Sequence, residues 1–270
     1  MRICFWGVRG SIPCPGPKTL RYGGNTPCIE VRCDDHLIIF DAGTGLRALG
    51  NALDASDELI DIFFTHCHLD HITGLPFFAP LFAEGRQIRL WAGNLLPVHS
   101  IEQAVRKVMS APLFPVEVEV FKAALEFCDF HAGETLQPFD GVMIKTAPLD
   151  HPDGGTGYRV EYGGKIFALL SDTEGFPGKR DKELVALARD ADLIVYDATF
   201  TEPEIMHRAG WGHSTWERGV RLANEAGAKR LCLYHHDPEH DDDFMDRVAA
   251  EAETARPGTI TAREGQIVTL

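Results

Sequence analysis

Residues 64–74 read FTHCHLDHITG and close the apolar run IDIFF, so three histidines and one aspartate crowd into residues 66–71. If the strand ends near Thr65, its two-residue alternation sends His66 and His68 to the same side. A turn at Leu69 then lets Asp70 and His71 face a point a few ångströms away. The cluster can supply two ligands to each of two neighbouring positions. Imidazole and carboxylate donors without thiolate suit zinc, manganese or iron, and an incomplete shell suits catalysis better than structure. Cys67 points the other way and reads as a small buried residue. A solvated loop with chance histidines would produce the same letters, but no further ligands would follow it.

Further ligands do follow. TAPLDHPDGGTGYRV places His151 behind one strand, FALLSDTEG ends a strongly apolar strand on Asp172, and RLCLYHHDP ends another on His235 and His236. A carboxylate at the end of so apolar a strand is costly unless its charge is compensated. Each of these strand ends would be ordinary alone. Together with His66–His71 they approach the inventory of a two-metal centre, in which a shared carboxylate holds the ions about 3.5–4 Å apart.

The rest of the chain is consistent with a soluble enzyme. Its 270 residues are 44% hydrophobic, enough for a large core, and no apolar run is long enough to span a bilayer. The N-terminus MRICFWGVRGSIP reads as a strand and lacks the regions of a signal peptide. Seven cysteines without framework spacing fit a reduced, cytoplasmic setting. Short strands alternate with helices expected near Thr44–Leu53, Ile101–Met109, Lys182–Arg189, Thr215–Glu225 and Asp243–Thr254. VEVEVF (116–121) and LEFCDF (125–130) both read as strands, and GYRVEYGGKIFALL reads as a hairpin turning at Gly163-Gly164. Two strand-rich halves predict one α/β domain over 1–270, with two mixed sheets face to face and helices outside.

HCHLDH matches the H-x-H-x-D-H signature of the metallo-β-lactamase-fold hydrolases, and His151, Asp172 and His235 follow in that family's order. The resemblance implies a four-layer αββα sandwich. It implies that His66, His68 and His151 hold one metal and that Asp70, His71 and His235 hold the other, with Asp172 bridging. The cofactors would be two divalent ions, zinc first, with manganese or iron as alternatives. IIFDAGTG resembles the family's D-x-G stretch, where Asp41 would support the ligand loop from behind. VYDATFTEPE and GWGHSTWE resemble elements of the ribonuclease Z and cyclic-phosphodiesterase branch. There His213 would protonate the leaving oxygen, Asp197 would orient and charge it, and Ser214 reads as the cap of the helix that follows. Asp197 stands where ribonuclease Z usually carries the longer Glu.

The function this implies is hydrolysis of phosphodiesters by a metal-bridged hydroxide, with Asp70, Asp197 and His213 as the catalytic residues. The net charge of −14 and the absence of a Gly/Pro-rich insertion between Leu75 and Lys145 favour a small anionic phosphodiester, such as a cyclic nucleotide. They make extended nucleic-acid binding unlikely. A homodimer and no membrane partner are expected. An RNA-processing endonuclease of the ribonuclease Z type, a thioester hydrolase and a non-catalytic sensor stand as alternatives. In the Gly/Pro-rich opening (7–28), Arg9, Ser11, Arg21 and Asn25 are candidates to reach substrate. Trp211 is a candidate to stack on a base, although tryptophans more often pack in cores.

Overall fold

Strands that are apolar at every position need cover on both faces, and LIIF, IFF, FALL and LIVY are runs of this kind. The computed structural model describes residues 1–54, 56–175 and 179–270, and it provides that double cover. The first sheet holds β1 (Arg2–Gly7), β2 (Cys28–Cys33), β3 (His36–Phe40), β4 (Leu59–Phe64), β5 (Gln87–Ala92) and β6 (Ala124–Asp129). The second holds β7 (Thr135–Phe139), β8 (Val142–Leu149), β9 (Gly155–Tyr162), β10 (Lys165–Leu170), β11 (Leu193–Asp197), β12 (Leu231–Tyr234) and β13 (Ile260–Thr261). A last strand, β14 (Ile267–Thr269), returns to pair with β1. The strand orders are β14-β1-β2-β3-β4-β5-β6 and β13-β12-β11-β10-β9-β8-β7. Both sheets are mixed, with β3 to β6 parallel in one and β10 to β13 parallel in the other.

The period-two alternation divides each strand between two layers. Phe40 and Phe63 meet Phe167, Leu169, Leu193 and Val195 of the opposite sheet in the central core. The helices are α1 (Gly45–Ala52), α2 (Leu69–Ile72), α3 (Ile101–Val108), α4 (Lys179–Leu187), α5 (Glu202–Ile205), α6 (Trp216–Glu225) and α7 (Asp242–Ala255). Ile39, Ile60 and Ile62 pack outward with Leu46 of α1 and Val105 of α3. Leu170 and Ile194 pack outward with Leu184 of α4, Val220 of α6 and Met245 of α7. The layers therefore run helix, sheet, sheet, helix, as the resemblance implies. Gly163 and Gly164, at φ 58° and 73°, make the expected tight turn between β9 and β10. No helix among the described residues is long and apolar enough to cross a membrane.

Two readings of the sequence need correction. VEVEVF is no strand: Val118–Val120 form a single 3₁₀ turn, with Val116 and Val120 left exposed. The alternation there has no sheet to join, because β6 begins just after it and takes the place beside β5. Ser214 does not cap α6. Thr215 does, accepting the amide of Arg218, while the Ser214 hydroxyl pairs with that of Tyr196.

Candidate metal centre

The parallel halves of both sheets end at a common edge, and open crevices beyond the carboxyl ends of strands are where such sheets place ligands. β3 runs into Asp41, β4 into Thr65–His68, β8 toward His151, β10 into Asp172 and β12 into His235, while β11 ends on Asp197. Asp41, Asp172 and His235 leave their strands at φ 63°, 62° and 61°. Left-handed backbone at a residue other than glycine costs about 1–3 kcal/mol and tends to be retained where function demands the placement.

The candidate ligands named from the sequence converge. His66, His68 and His151 bring one ring nitrogen each to within 4.8 Å of one another, and so do the donor atoms of Asp70, His71 and His235. Asp172 touches both groups, lying with His66 of the first and with His71 and His235 of the second. Around the second position, His71 Nε2 and His235 Nε2 lie 3.3 and 3.4 Å from Asp70 Oδ2. The same nitrogens lie 3.5 and 3.2 Å from Asp172 Oδ1. A tetrahedron of ligands about 2.0–2.1 Å from an ion has edges of about 3.3–3.4 Å, so these four atoms are spaced for a cation. The Nε2 atoms of His66, His71 and His235 are buried and have no hydrogen-bond partner within the protein. Buried polar atoms are normally satisfied. Nitrogen lone pairs aimed at a common point beside two carboxylates are the donor set of a divalent ion, and the residues fit one.

Four of the five imidazoles, those of His66, His71, His151 and His235, are fixed from behind, which favours the tautomer that turns Nε2 inward. Thr65 Oγ1 donates to Asp41 and lies 3.1 Å from His66 Nδ1. Asp41 Oδ2 is 3.0 Å from His71 Nδ1, and Asp41 Oδ1 accepts the Thr65 amide. The Gly212 carbonyl holds His151 Nδ1 at 2.8 Å, and Thr199 Oγ1 holds His235 Nδ1 at 3.0 Å. His68 differs, turning Nδ1 toward His151 Nε2 at 3.1 Å. Thr65, Thr199 and the Gly212 carbonyl were not foreseen. A threonine at a strand end carries no sequence signal until the fold shows which imidazole it backs.

The electrostatics are those of a cation site. Burial pushes the His66 pKa well down, and the neighbouring His71 adds to the push. Burial works against charge on His71 too, but Asp70, Asp172 and Asp41 outweigh it and hold its pKa well above the usual value. Burial would likewise raise Asp70 and Asp172, yet His71 and His235 keep both ionised far below the ordinary carboxylate range.

His213 sits beside this cluster. Its Nδ1 is 2.9 Å from Asp197 Oδ2 and 3.7 Å from Asp172 Oδ1, and its ring stacks on His235 with centroids 4.8 Å apart. The shorter Asp197 therefore makes the contact in place of Glu. It is fixed in turn by the amides of Asp172, Thr199 and Ser214. Burial alone would lower the His213 pKa, but Asp197, with Asp172 and Asp70 behind it, holds it up at about 9. These carboxylates thus favour the protonated form of His213.

The opening loop approaches the cluster through its backbone. The Ser11 amide donates to Asp70 Oδ2 at 2.7 Å, from a residue at φ 63°. The other candidates of this loop are otherwise employed. Arg9 is buried and donates to the carbonyls of Gly23, Asp237 and His240, Arg21 pairs with Asp243 and Asp246, and Asn25 holds Glu264. Gly10 lies flat against His235, where a Cβ would come within 2.3 Å of the imidazole. The substitution Gly10→Ala is expected to push His235 off its position. The purified variant should then lose metal on dialysis more readily than the parent, with an unchanged far-ultraviolet spectrum. Equal retention would mean that the loop does not set His235.

Beside His66 and His68 lies a groove walled by Leu69, Leu95, Val98 and Leu113, with Asn94, His99, Gln103, Lys107 and Asp153 as its polar lining.

Residues 36–236 match the beta-lactamase superfamily domain. Among curated proteins, the ribonuclease Z of Gemmatimonas aurantiaca is 25% identical over 322 aligned positions, covering 99% of this chain and 95% of the relative. Among solved structures, the metallo-beta-lactamase fold protein YhfI from Bacillus subtilis superposes with a TM-score of 0.75 at 19% identity, covering 99% of each chain. The short form of human tRNase Z gives 0.72 at 20% identity, covering 100% of this chain and 99% of the other. The two structures establish the metallo-β-lactamase fold. The relatives also correct one expectation, that of a small diester as partner with extended nucleic-acid binding unlikely. Full-length likeness to a ribonuclease runs against it. The physical error lay in using whole-chain charge, which neither counts bound cations nor sets the potential inside one cleft.

Proposed function

Because this chain belongs to the beta-lactamase superfamily, we propose that it is a metal-dependent phosphodiesterase of the ribonuclease Z type that hydrolyses RNA. The pairing of His213 with Asp197 at the rim of the metal cluster carries this reading. Expulsion of a ribose alkoxide needs a proton delivered to the leaving oxygen, whereas thioester hydrolysis expels a thiolate that does not.

In this reading His66, His68 and His151 would hold one divalent ion and Asp70, His71 and His235 a second, and Asp172 would serve both. Zinc leads manganese and iron on ligand type. Bound ions of this kind lower the pKa of water and offset negative charge that builds on the phosphoryl oxygens. Asp70, anchored by the Ser11 amide, orients the attacking water. The phosphodiester enters with its leaving oxygen toward His213. Water adds to phosphorus and gives up one proton to solvent, the bond to the ribose oxygen breaks, the proton on His213 Nε2 passes to that oxygen, and solvent returns a proton to His213. Asp197 keeps the imidazole charged before the transfer and aligned during it. The groove beside His68 leaves room for the part of the chain on the attacking side.

The test is hydrolysis of a 3′-extended transfer-RNA precursor by metal-loaded protein, beside bis(p-nitrophenyl) phosphate and a glutathione thioester. Endonucleolytic cleavage of the precursor is expected, with loss of activity on chelation. Turnover confined to the thioester would overturn the proposal.

A further inference from the structure

Trp211 stands apart from the other tryptophans. It is 60% exposed, whereas Trp6, Trp91 and Trp216 are buried or half-buried. An indole left in water loses the burial that normally stabilises it, so a fixed and exposed one is poised to bury against something else.

Trp211 is held by its own loop and by the side chains of Arg208 and Phe200. Its amide donates to the Arg208 carbonyl, and the preceding Gly210 amide donates to Glu174 Oε1. The next residue, Gly212, is the one whose carbonyl holds His151, and it sits at φ 82° where a Cβ would meet the His151 ring at 2.2 Å. The residue after that is His213. The Arg208 guanidinium lies over the rings of both Phe200 and Trp211, at 4.7 and 5.6 Å from their centroids, and reaches Asp237 Oδ2 at 3.6 Å. Phe200 in turn sets its ring edge-on to Trp211 and to His213. One run of contacts thus links the exposed indole to the acid and to a metal-ligand histidine.

We infer that Trp211, braced by Arg208, is a stacking subsite for a nucleobase of single-stranded RNA, on the nucleotide that carries the leaving oxygen. The inference rests on the phosphodiesterase reading, since His213 marks the leaving side and Trp211 lies on the same short loop. Every base has a π-face, so an aromatic platform grips an RNA chain without selecting its sequence, and a neighbouring arginine adds attraction for both ring and phosphate. An acidic protein needs a short-range grip of this kind, because its surface as a whole does not attract polyanions.

The experiment compares wild type with Trp211→Ala and Trp211→Phe on two short RNAs that differ in one nucleotide, a normal or an abasic one on the leaving side. Base stacking of ordinary strength predicts that KM for the normal RNA rises about 5- to 150-fold in Trp211→Ala. Phenylalanine should restore most of it, and the abasic RNA should show no such rise. An equal rise on both RNAs would assign Trp211 a merely structural role, and no rise on either would also overturn the subsite. Quenching of intrinsic fluorescence by single-stranded oligoadenylate gives a readout that does not need turnover. If wild type cleaves no RNA but shows quenching that Trp211→Ala lacks, the hydrolytic reading fails and the subsite stands. If that quenching persists in Trp211→Ala, the subsite fails.

Discussion

Replacing His213 with alanine is expected to lower RNA hydrolysis about 10²- to 10⁴-fold while the metal content of the purified protein stays at the parent value. His213 does lie in one candidate donor group, with Asp172, Asp197 and His235, but its Nδ1 is already committed to Asp197, and the groups that contain His66, His68, Asp70 and His71 do not include it. The leaving group separates an acid from a scaffold. A ribose alkoxide needs the proton, whereas p-nitrophenolate leaves readily without one. The loss should therefore be large on RNA and much smaller on bis(p-nitrophenyl) phosphate. A variant that is merely misfolded would lose both together. Alanine also strips Asp197 of its cation, and an uncompensated buried charge can cost about 3–5 kcal/mol. The amides of Asp172, Thr199 and Ser214 soften that cost, and His213→Asn, which keeps a donor near Asp197, provides a second variant with the same predicted kinetics. Full RNA turnover in either would remove His213 from the role of acid.

Much of this site was legible because its residues sit where two simple periodicities break. The alternation of IDIFF, followed by a turn at Leu69, was enough to bring His66, His68, Asp70 and His71 together. The apolar runs before Asp172 and His235 announced buried strands ending in groups that such strands do not tolerate without compensation. What failed did so for equally physical reasons. VEVEVF has the period of a strand but no partner to pair with. β7 carries Pro138 and little apolar patterning, and it escapes notice because it is an edge strand with an irregular register, where proline is tolerated. The cap of α6 shifted by one residue because Ser214 is drawn inward, its amide to Asp197 and its hydroxyl to Tyr196. Apart from Asp41, the supports of the imidazoles were invisible for a different reason. Thr199 lies 36 residues from His235 and becomes its neighbour only through the pairing of β11 with β12. Charge misled most of all, since a sum over the chain was used in place of the potential at one edge of two sheets.

Asp172, proposed above as the shared carboxylate, gives the other large effect. Asp172→Asn should strip most of the metal from the protein and reduce hydrolysis by more than the roughly 10- to 100-fold that loss of an outer supporting group costs. Asparagine is the informative replacement because residue 172 sits at φ 62°. Asparagine tolerates left-handed backbone far better than alanine does, so the change removes charge with little strain. It also keeps an acceptor for the Ser171 hydroxyl, which donates to Asp172 Oδ2 at 2.7 Å. What it removes is the negative charge that His71 and His235 face at 3.5 and 3.2 Å. Asp41→Asn serves as the comparison, because Asp41 touches His71 only from behind, at Nδ1. Metal content measured on both variants, with the shift in melting temperature on adding zinc, ranks the two positions. A ligand at a thousandfold excess over its Kd stabilises the native state by about 4 kcal/mol, so the parent should show a clear upward shift, Asp41→Asn a smaller one, and Asp172→Asn little or none. If Asp41→Asn proves the more damaging of the two, Asp172 does not hold the ions in common.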